Sequence, residues 1–131
     1  MNLFSGFQKI REIWLRRQKS CGLVLMFHKV DDDKATWIDK NTSITLTNFK
    51  KLIIKFKDKG YQYAEILEIE MQKNLNSKKV IITFDDGTSD LYSNVFPFLC
   101  EHNIPFTVFI VSDYLDEPGF LSREQLIKLS E

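Results

Sequence analysis

The segment that most constrains this chain covers residues 80–87, where an apolar run ends at two carboxylates. Residues 80–84 read Val-Ile-Ile-Thr-Phe, and this β-branched and aromatic composition is typical of a strand that is buried on both faces. Asp85, Asp86 and Gly87 follow directly. Buried parallel strands carry polar side chains where they end, so carboxylates at that position usually bind a ligand, a metal ion or a proton. The segment therefore predicts an α/β protein with a candidate site at the end of this strand.

Four segments of the chain are predicted strands, three of them apolar runs and the second, at residues 61–66, a short candidate. They cover residues 23–27, 61–66, 80–84 and 106–111. Helical segments lie between them, and this alternation predicts right-handed βαβ crossovers and a mostly parallel sheet. The near-continuous apolar character of the first run predicts that it, too, is a buried strand.

Three segments have the composition of helices. Thr47 is the predicted N-cap of the first helix and Gly60 is placed to end it. Pro97 is compatible with the second helix only in its first turn, and Ser122 and Gln125 form a capping box that starts the third. The apolar faces of the first two helices comprise Phe49, Leu52, Ile53 and Phe56, and Val95, Phe98, Leu99 and His102.

The composition is that of one globular domain with no net charge. The chain has 131 residues, 44% of them hydrophobic, which is enough for a core. Because 18 basic and 18 acidic residues cancel, no nucleic-acid partner is expected. Cys21 and Cys100 lie far apart in apolar contexts, which predicts two buried thiols rather than a disulfide or metal ligands.

Residues 1–20 form a predicted basic amphipathic helix ahead of a domain that occupies residues 21–131. Apolar side chains recur at helical spacing, with five basic residues and one acidic residue around them. This helix either covers the bottom of the domain or makes a peripheral contact with an anionic membrane or a partner through residues 4–19. No apolar run approaches the roughly 20 residues of a membrane span, and charges interrupt any signal peptide. The localisation is unknown, with the cytoplasm as the default expectation.

The two adjacent carboxylates allow more than one chemistry. Asp85 and Asp86 share a site only if the strand bends after them, which Gly87 permits. A metal-dependent hydrolase then has one carboxylate for the cation and the other as a base. The purely structural alternative is a turn in which an aspartate caps the next helix. A phosphoryl-transfer domain with magnesium is a further alternative, but it expects a glycine-rich loop that the sequence lacks.

A second polar cluster follows the first predicted strand. His28 lies where that strand ends, which makes it a candidate ligand, although a lone histidine is more often structural. The acidic run at residues 31–33 lacks the alternating ligands and distant glutamate of a calcium loop. We therefore expect that run to be a solvated loop.

Several segments together resemble the polysaccharide deacetylase family, carbohydrate esterase family 4. Thr-Phe-Asp-Asp-Gly at residues 83–87 is similar to that family's first motif. The resemblance covers roughly residues 23–131, and its segments occur in the family's order. They are residues 23–28, the predicted helix from Phe49, and residues 80–87, 94–97, 103–110 and 121–126.

The resemblance implies a distorted (β/α) barrel that removes acetyl groups from the N-acetylated sugars of a polysaccharide. It also implies a divalent metal ion, typically zinc. By this resemblance Asp85 is the general base and Asp86 is a metal ligand. His28, at the neighbouring strand end, is the candidate substrate-binding residue. The alternative is a non-catalytic remnant or a glycan-binding module of the same fold.

The family's other metal ligands belong to a His-Ser/Thr-x-x-His motif, which is expected after the helix that starts at Ser122. The sequence ends at Glu131, so we expect an incomplete barrel, truncated after about half of its length, with no further metal ligands in this chain. A complete barrel of this kind normally needs roughly 200 residues or more. The strand at residues 106–111 is then an exposed sheet edge, which favours self-association or a complementing partner.

Overall fold

The structure is a computed structural model that describes residues 22–32, 42–67 and 78–131. The predicted helix over residues 1–20, its membrane contact through residues 4–19 and the environment of Cys21 lie outside the described residues.

Two parallel sheets form the framework of the described residues. Their strands are β1 (Leu23–Phe27), β2 (Lys29–Asp31), β3 (Ser43–Thr45), β4 (Gln62–Tyr63), β5 (Lys79–Phe84) and β6 (Thr107–Val108). Strand β5 is central in the larger sheet and pairs in parallel with β1, β4 and β6, while β2 pairs with β3. The predicted α/β fold with a mostly parallel sheet is confirmed, whereas closure into a barrel stays a prediction.

Helical segments connect these strands. They are α1 (Leu46–Asp58), a π-helical turn (Leu91–Val95), α2 (Phe96–Glu101), a 3-10 turn (Ser112–Tyr114) and α3 (Arg123–Ser130). Pro97 lies in the first turn of α2, and both hydrogen bonds of the predicted Ser122–Gln125 capping box are present. Gly60 follows α1 with φ 77°, a left-handed conformation suited to a helix end. Within the described ranges, no helix has the length and apolar character needed to cross a membrane.

The predicted N-cap of α1 is wrong by two residues. Thr45, rather than Thr47, has the extended backbone of a cap, and its hydroxyl accepts a hydrogen bond from Asn48 N at 3.3 Å. Strand β3 passes directly into the helix at this residue, so the chain turns before Thr47 is reached.

Replacing Thr45 by alanine is therefore expected to lower the free energy of unfolding by about 0.5–2 kcal/mol, because a helix-end N–H loses its partner. Thr47→Ala is the comparison variant and is expected to lower stability less than Thr45→Ala, because Thr47 does not cap the helix. Urea unfolding followed by circular dichroism measures both. A larger loss of stability in Thr47→Ala than in Thr45→Ala would show that Thr47 is the N-cap.

Two predicted strands are shorter than their apolar runs. The run at residues 61–66 pairs only over β4, since β4 meets only the first two residues of β5. The run at residues 106–111 pairs only over β6, because β5 ends at Phe84 and offers nothing further to pair with. Phe109 is consequently 50% exposed.

Strand β1 also differs from its prediction, because it is not buried on both faces. Its side chains alternate between partly buried and exposed, and Val24 and Met26 are the exposed ones. They lie on the face of the sheet that borders an open depression, whereas α1 and α2 cover the other face.

The core lies between that other face and the helices. Phe49 of α1 is fully buried, with ring centroids 5.0 Å from Phe27 and 6.0 Å from Phe84. Phe27 and Phe84 stack on each other at 5.6 Å. This aromatic cluster fixes the last residues of β1 and β5 side by side. The predicted core face of α1 is confirmed at its three buried positions, Phe49, Ile53 and Phe56.

Two predictions of local environment are wrong. Cys100 is exposed, because its neighbours Phe98 and Leu99 occupy the inner face of α2. Asp31 does not lie in a solvated loop: it is the last residue of β2, buried, and pairs with Lys29 Nζ at 2.9 Å. That ion pair is the main cause that raises the pKa of Lys29.

Tyr63 provides a pH-dependent element of stability. Its hydroxyl donates to Ile53 O at 2.7 Å, and burial raises the pKa of the phenol to about 12. A raised pKa favours the neutral form in the folded state, so this stabilisation is complete below pH 10 and is lost as the pH rises towards 12. We expect ultraviolet titration to show a late-ionising tyrosine that disappears in Tyr63→Phe. Persistence of that component in the variant would contradict the assignment.

Candidate active site

The two aspartates lie at a sharp turn that immediately follows β5. Asp85 N donates to Phe27 O at 2.8 Å, which extends the sheet by one residue. Asp86 and Gly87 then adopt left-handed φ angles of 68° and 70°. The strand direction breaks here, as the sequence predicted, and both carboxylates line the same depression. Asp85 and Asp86 therefore line one depression, while their shared chemical role stays a prediction.

The depression is open and mainly apolar. Its volume is about 520 Å³, and the two carboxylates are the charged groups in its wall. The rest of the lining comes from β1, β5 and the segment after β6: Val24, Met26, Ile66, Thr83, Phe109, Ile110 and Val111. A wall of this kind can pack against the apolar face of a ligand while the carboxylates meet its polar groups.

His28 lies beside the first aspartate. Its Nε2 is 3.9 Å from Asp85 Oδ2, and the two side chains are 35% and 28% exposed. The register of the sheet explains the proximity, because Phe27 and Phe84 are paired and each site residue follows one of them. His102, the other histidine, instead caps the end of α2 and packs on the Phe98 ring at 4.5 Å.

A catalytic metal centre needs more clustered ligands than the described residues provide. Asp85, Asp86 and His28 have donor types that zinc accepts, yet catalytic zinc usually has three protein ligands. No group of three or more potential ligands occurs within residues 22–32, 42–67 and 78–131. The described residues therefore do not form a complete metal site by themselves.

Sequence reasoning missed three polar residues that hold the edge of the site. Thr88 Oγ1 donates to His28 O at 3.2 Å. Asp90 Oδ2 accepts from Val30 N at 2.7 Å, and Asn94 Nδ2 donates to Val30 O at 2.9 Å. The four-residue spacing of Asp90 and Asn94 was the available signal, since it places both on one face of a helical turn.

Gly87 is the position in the turn where substitution is expected to be costly. Besides its φ of 70°, a Cβ at this residue would lie 3.0 Å from Ile110 Cγ2. Gly119 provides the matched control, because it has φ 90° and nothing within 4 Å of a Cβ. Backbone strain alone costs about 1–2 kcal/mol in Gly119→Ala, and Gly87→Ala is expected to lose more. Urea unfolding of both variants measures the difference; equal losses would show that Ile110 moves aside freely.

The fold and site together define an α/β protein with paired carboxylates at the carboxyl end of its central parallel strand. A family model for polysaccharide deacetylase matches residues 72–130. The chain is thus related to the polysaccharide deacetylases, as its motifs predicted.

Curated and solved relatives agree with this relationship. A poly-beta-1,6-N-acetyl-D-glucosamine N-deacetylase from Staphylococcus epidermidis is 29% identical over 135 aligned residues, which cover 89% of this chain and 47% of that protein. The structure of IcaB from Ammonifex degensii matches with a TM-score of 0.74 and 26% identity, over 86% of this chain and 49% of that one. A polysaccharide deacetylase from Bacillus cereus matches with a TM-score of 0.66 and 27% identity, over 83% and 35%. The chain spans less than half the length of the curated relatives it matches.

Proposed function

We propose that this chain contributes to the hydrolysis of acetamido groups on the N-acetylated sugars of a polysaccharide. The observation that carries the proposal is the placement of Asp85 and Asp86 in one depression, at the motif that relates the chain to polysaccharide deacetylases. The name of the Staphylococcus epidermidis relative makes a poly-β-1,6-linked N-acetylglucosamine the first substrate to test.

In this proposal Asp85 is the general base. Its carboxylate takes a proton from a water molecule as the water oxygen attacks the carbonyl carbon of the acetamide. The C–N bond then breaks, the sugar nitrogen leaves as an amine after gaining a proton, and acetate is released. In the same proposal His28, which lies 3.9 Å from Asp85, binds the substrate near the reacting group.

Asp86 is the residue we propose as a ligand of a divalent metal ion, with zinc as the first candidate. It is exposed at the turn, so its carboxylate is accessible from the depression. A bound zinc ion polarises a carbonyl and lowers the pKa of water to about 7. Since the described residues do not complete its ligand set, the steps assigned to this chain are those of Asp85 and His28.

Acetate release tests the proposed reaction. The full chain is incubated with an acetylated β-1,6-linked glucosamine oligosaccharide, or with a chito-oligosaccharide, in the presence of zinc, and acetate is quantified enzymatically. Release that depends on the protein supports the proposal, and its absence with both substrates contradicts it.

Calorimetry tests the metal ligand separately. Zinc is expected to bind more tightly than about 1 mM, and Asp86→Ala is expected to weaken this binding at least tenfold. Equal affinity in the variant would remove Asp86 from the proposed site. Asp113→Ala, an exposed aspartate elsewhere in the chain, is the control for nonspecific carboxylate binding.

A glycan-binding module without hydrolysis is the second candidate function. It is favoured by the open, mainly apolar depression, whose wall can pack against a sugar ring while the aspartates meet its polar groups. Calorimetric binding of the same oligosaccharides without acetate release would select it over the hydrolase.

A further inference from the structure

Three side chains bind the backbone of residues 28–30, in addition to the pairing of β2 with β3. Val30, in the middle of β2, is fully buried; its N–H donates to Asp90 Oδ2 and its C=O accepts from Asn94 Nδ2. The preceding carbonyl of His28 accepts from Thr88. All three side chains come from one short segment that starts directly after the Asp-Asp-Gly turn.

We propose that Thr88, Asp90 and Asn94 are positioning residues that form a backbone clamp on residues 28–30 and thereby direct the imidazole of His28 towards Asp85. The clamp connects the two polar strand ends of the site through hydrogen bonds to main-chain atoms. The clamp, rather than direct contact between His28 and Asp85, thus sets the distance and orientation of these two side chains.

The distances indicate which contacts fix this geometry. Nε2 of His28 and Oδ2 of Asp85 are 3.9 Å apart, which is beyond a direct hydrogen bond. The pair is also about one-third exposed, so its own attraction is weak. By contrast, the bonds of Asp90 and Asn94 to Val30 are 2.7 and 2.9 Å long.

The chemistry of the clamp suits a rigid role. A carboxylate that accepts from an N–H forms a charge-assisted hydrogen bond, which is stronger than a neutral one. Asp90 immediately precedes the π-helical turn that contains Asn94, and π-helical insertions are frequent at functional sites. His28 itself lies at the bend between β1 and β2, where no ladder pairing restrains it. The direction of its ring therefore depends on the clamp.

Nuclear magnetic resonance of the full chain tests the clamp without requiring activity. The sequence has two histidines, so His102 serves as an internal reference for His28. In Asp90→Ala and Asn94→Ala we expect the Val30 amide to exchange at least tenfold faster. We also expect the His28 ring signals to shift and its cross-relaxation with Asp85 Hβ to weaken, while His102 is unchanged.

Conservative and distant variants complete the test. Asp90→Asn keeps an acceptor oxygen and is expected to retain most of the wild-type His28 signal, which also covers the case in which Asp90→Ala does not fold. Asp113→Ala, at an exposed position far along the sequence from both histidines, is expected to leave both histidines unchanged. An unaltered His28 in Asn94→Ala and Asp90→Ala, despite faster exchange at Val30, would overturn the proposal, as would equal shifts at both histidines.

The catalytic meaning of the clamp rests on the proposed deacetylation and has its own readout. If the wild type releases acetate, Asn94→Ala is expected to lower kcat more than it changes KM, because the reacting geometry is affected more than substrate affinity. If KM alone rises, the clamp has no role in the reacting geometry. If the wild type releases no acetate, the proposed function fails, whereas the magnetic resonance result still decides whether the clamp directs His28.

Discussion

Replacing Asp85 by asparagine is expected to lower the rate of acetate release by about 10²–10⁴-fold, the usual contribution of a general base. Asparagine has nearly the same shape, so the backbone bond from residue 85 to Phe27 O is retained. The variant loses only the capacity to accept a proton from water. The loss is therefore expected in kcat, with a smaller effect on KM, when initial rates are measured over a range of oligosaccharide concentrations.

Two comparisons make this result specific. Asp113→Asn changes an exposed carboxylate outside the depression and is expected to keep the wild-type rate. Circular dichroism and urea unfolding of Asp85→Asn should match those of the wild type, which separates lost chemistry from lost structure. A well-folded Asp85→Asn that retains the wild-type kcat would assign the base to another residue.

Replacing Phe49 by alanine is expected to lower the free energy of unfolding by about 3–5 kcal/mol, because a fully buried aromatic ring leaves a large cavity. Domains of this size are stable by only about 5–15 kcal/mol, so the variant is expected to lose much of its stability. The cavity would lie against Phe27 and Phe84, which precede His28 and Asp85. Urea unfolding at 25 °C, followed by circular dichroism, measures the loss.

The matched variants for this position are Phe49→Leu and Phe109→Ala. Leucine refills part of the cavity, and its expected loss is smaller than that of alanine. Phe109 is half exposed, so its removal is expected to cost much less than removal of Phe49. Similar losses at Phe49 and Phe109 would contradict the burial that the structure assigns to them.

The sequence predicted the framework where the local pattern and the tertiary environment agree. β5, the core face of α1 and the Ser122 capping box depend on side-chain periodicity or on a short hydrogen-bonded motif. Strand length is different, because an apolar run forms a strand only as far as a neighbour pairs with it. The run at residues 106–111 pairs only at Thr107 and Val108, since β5 turns away at Asp85.

The sequence predicted the two aspartates of the candidate site, but not the residues that hold the backbone beside them. Asp85 and Asp86 were recognisable because carboxylates at a strand end are conspicuous, and the family motif assigns them roles. The spacing of Asp90 and Asn94 places them on one face of a helical turn, but it does not identify the main chain of Val30 as their partner. The burial of Asp31 was missed for a similar reason. The acidic run at residues 31–33 is typical of a loop, whereas Asp31 ends a short strand and pairs with Lys29.

The bond from Val30 to Asp90 joins residues 60 positions apart, and this separation has a consequence for folding kinetics. Helix α1 and the Ser122 cap involve neighbours in sequence and can form within microseconds, whereas closing a long loop carries an entropic cost that non-local contacts must first overcome. The pairing of β1 with β5 and the hydrogen bonds of the clamp to Val30 form in that slower, non-local step. We therefore expect His28 and Asp85 to meet late in folding, so that a folding intermediate rich in helix would still lack the paired strand ends.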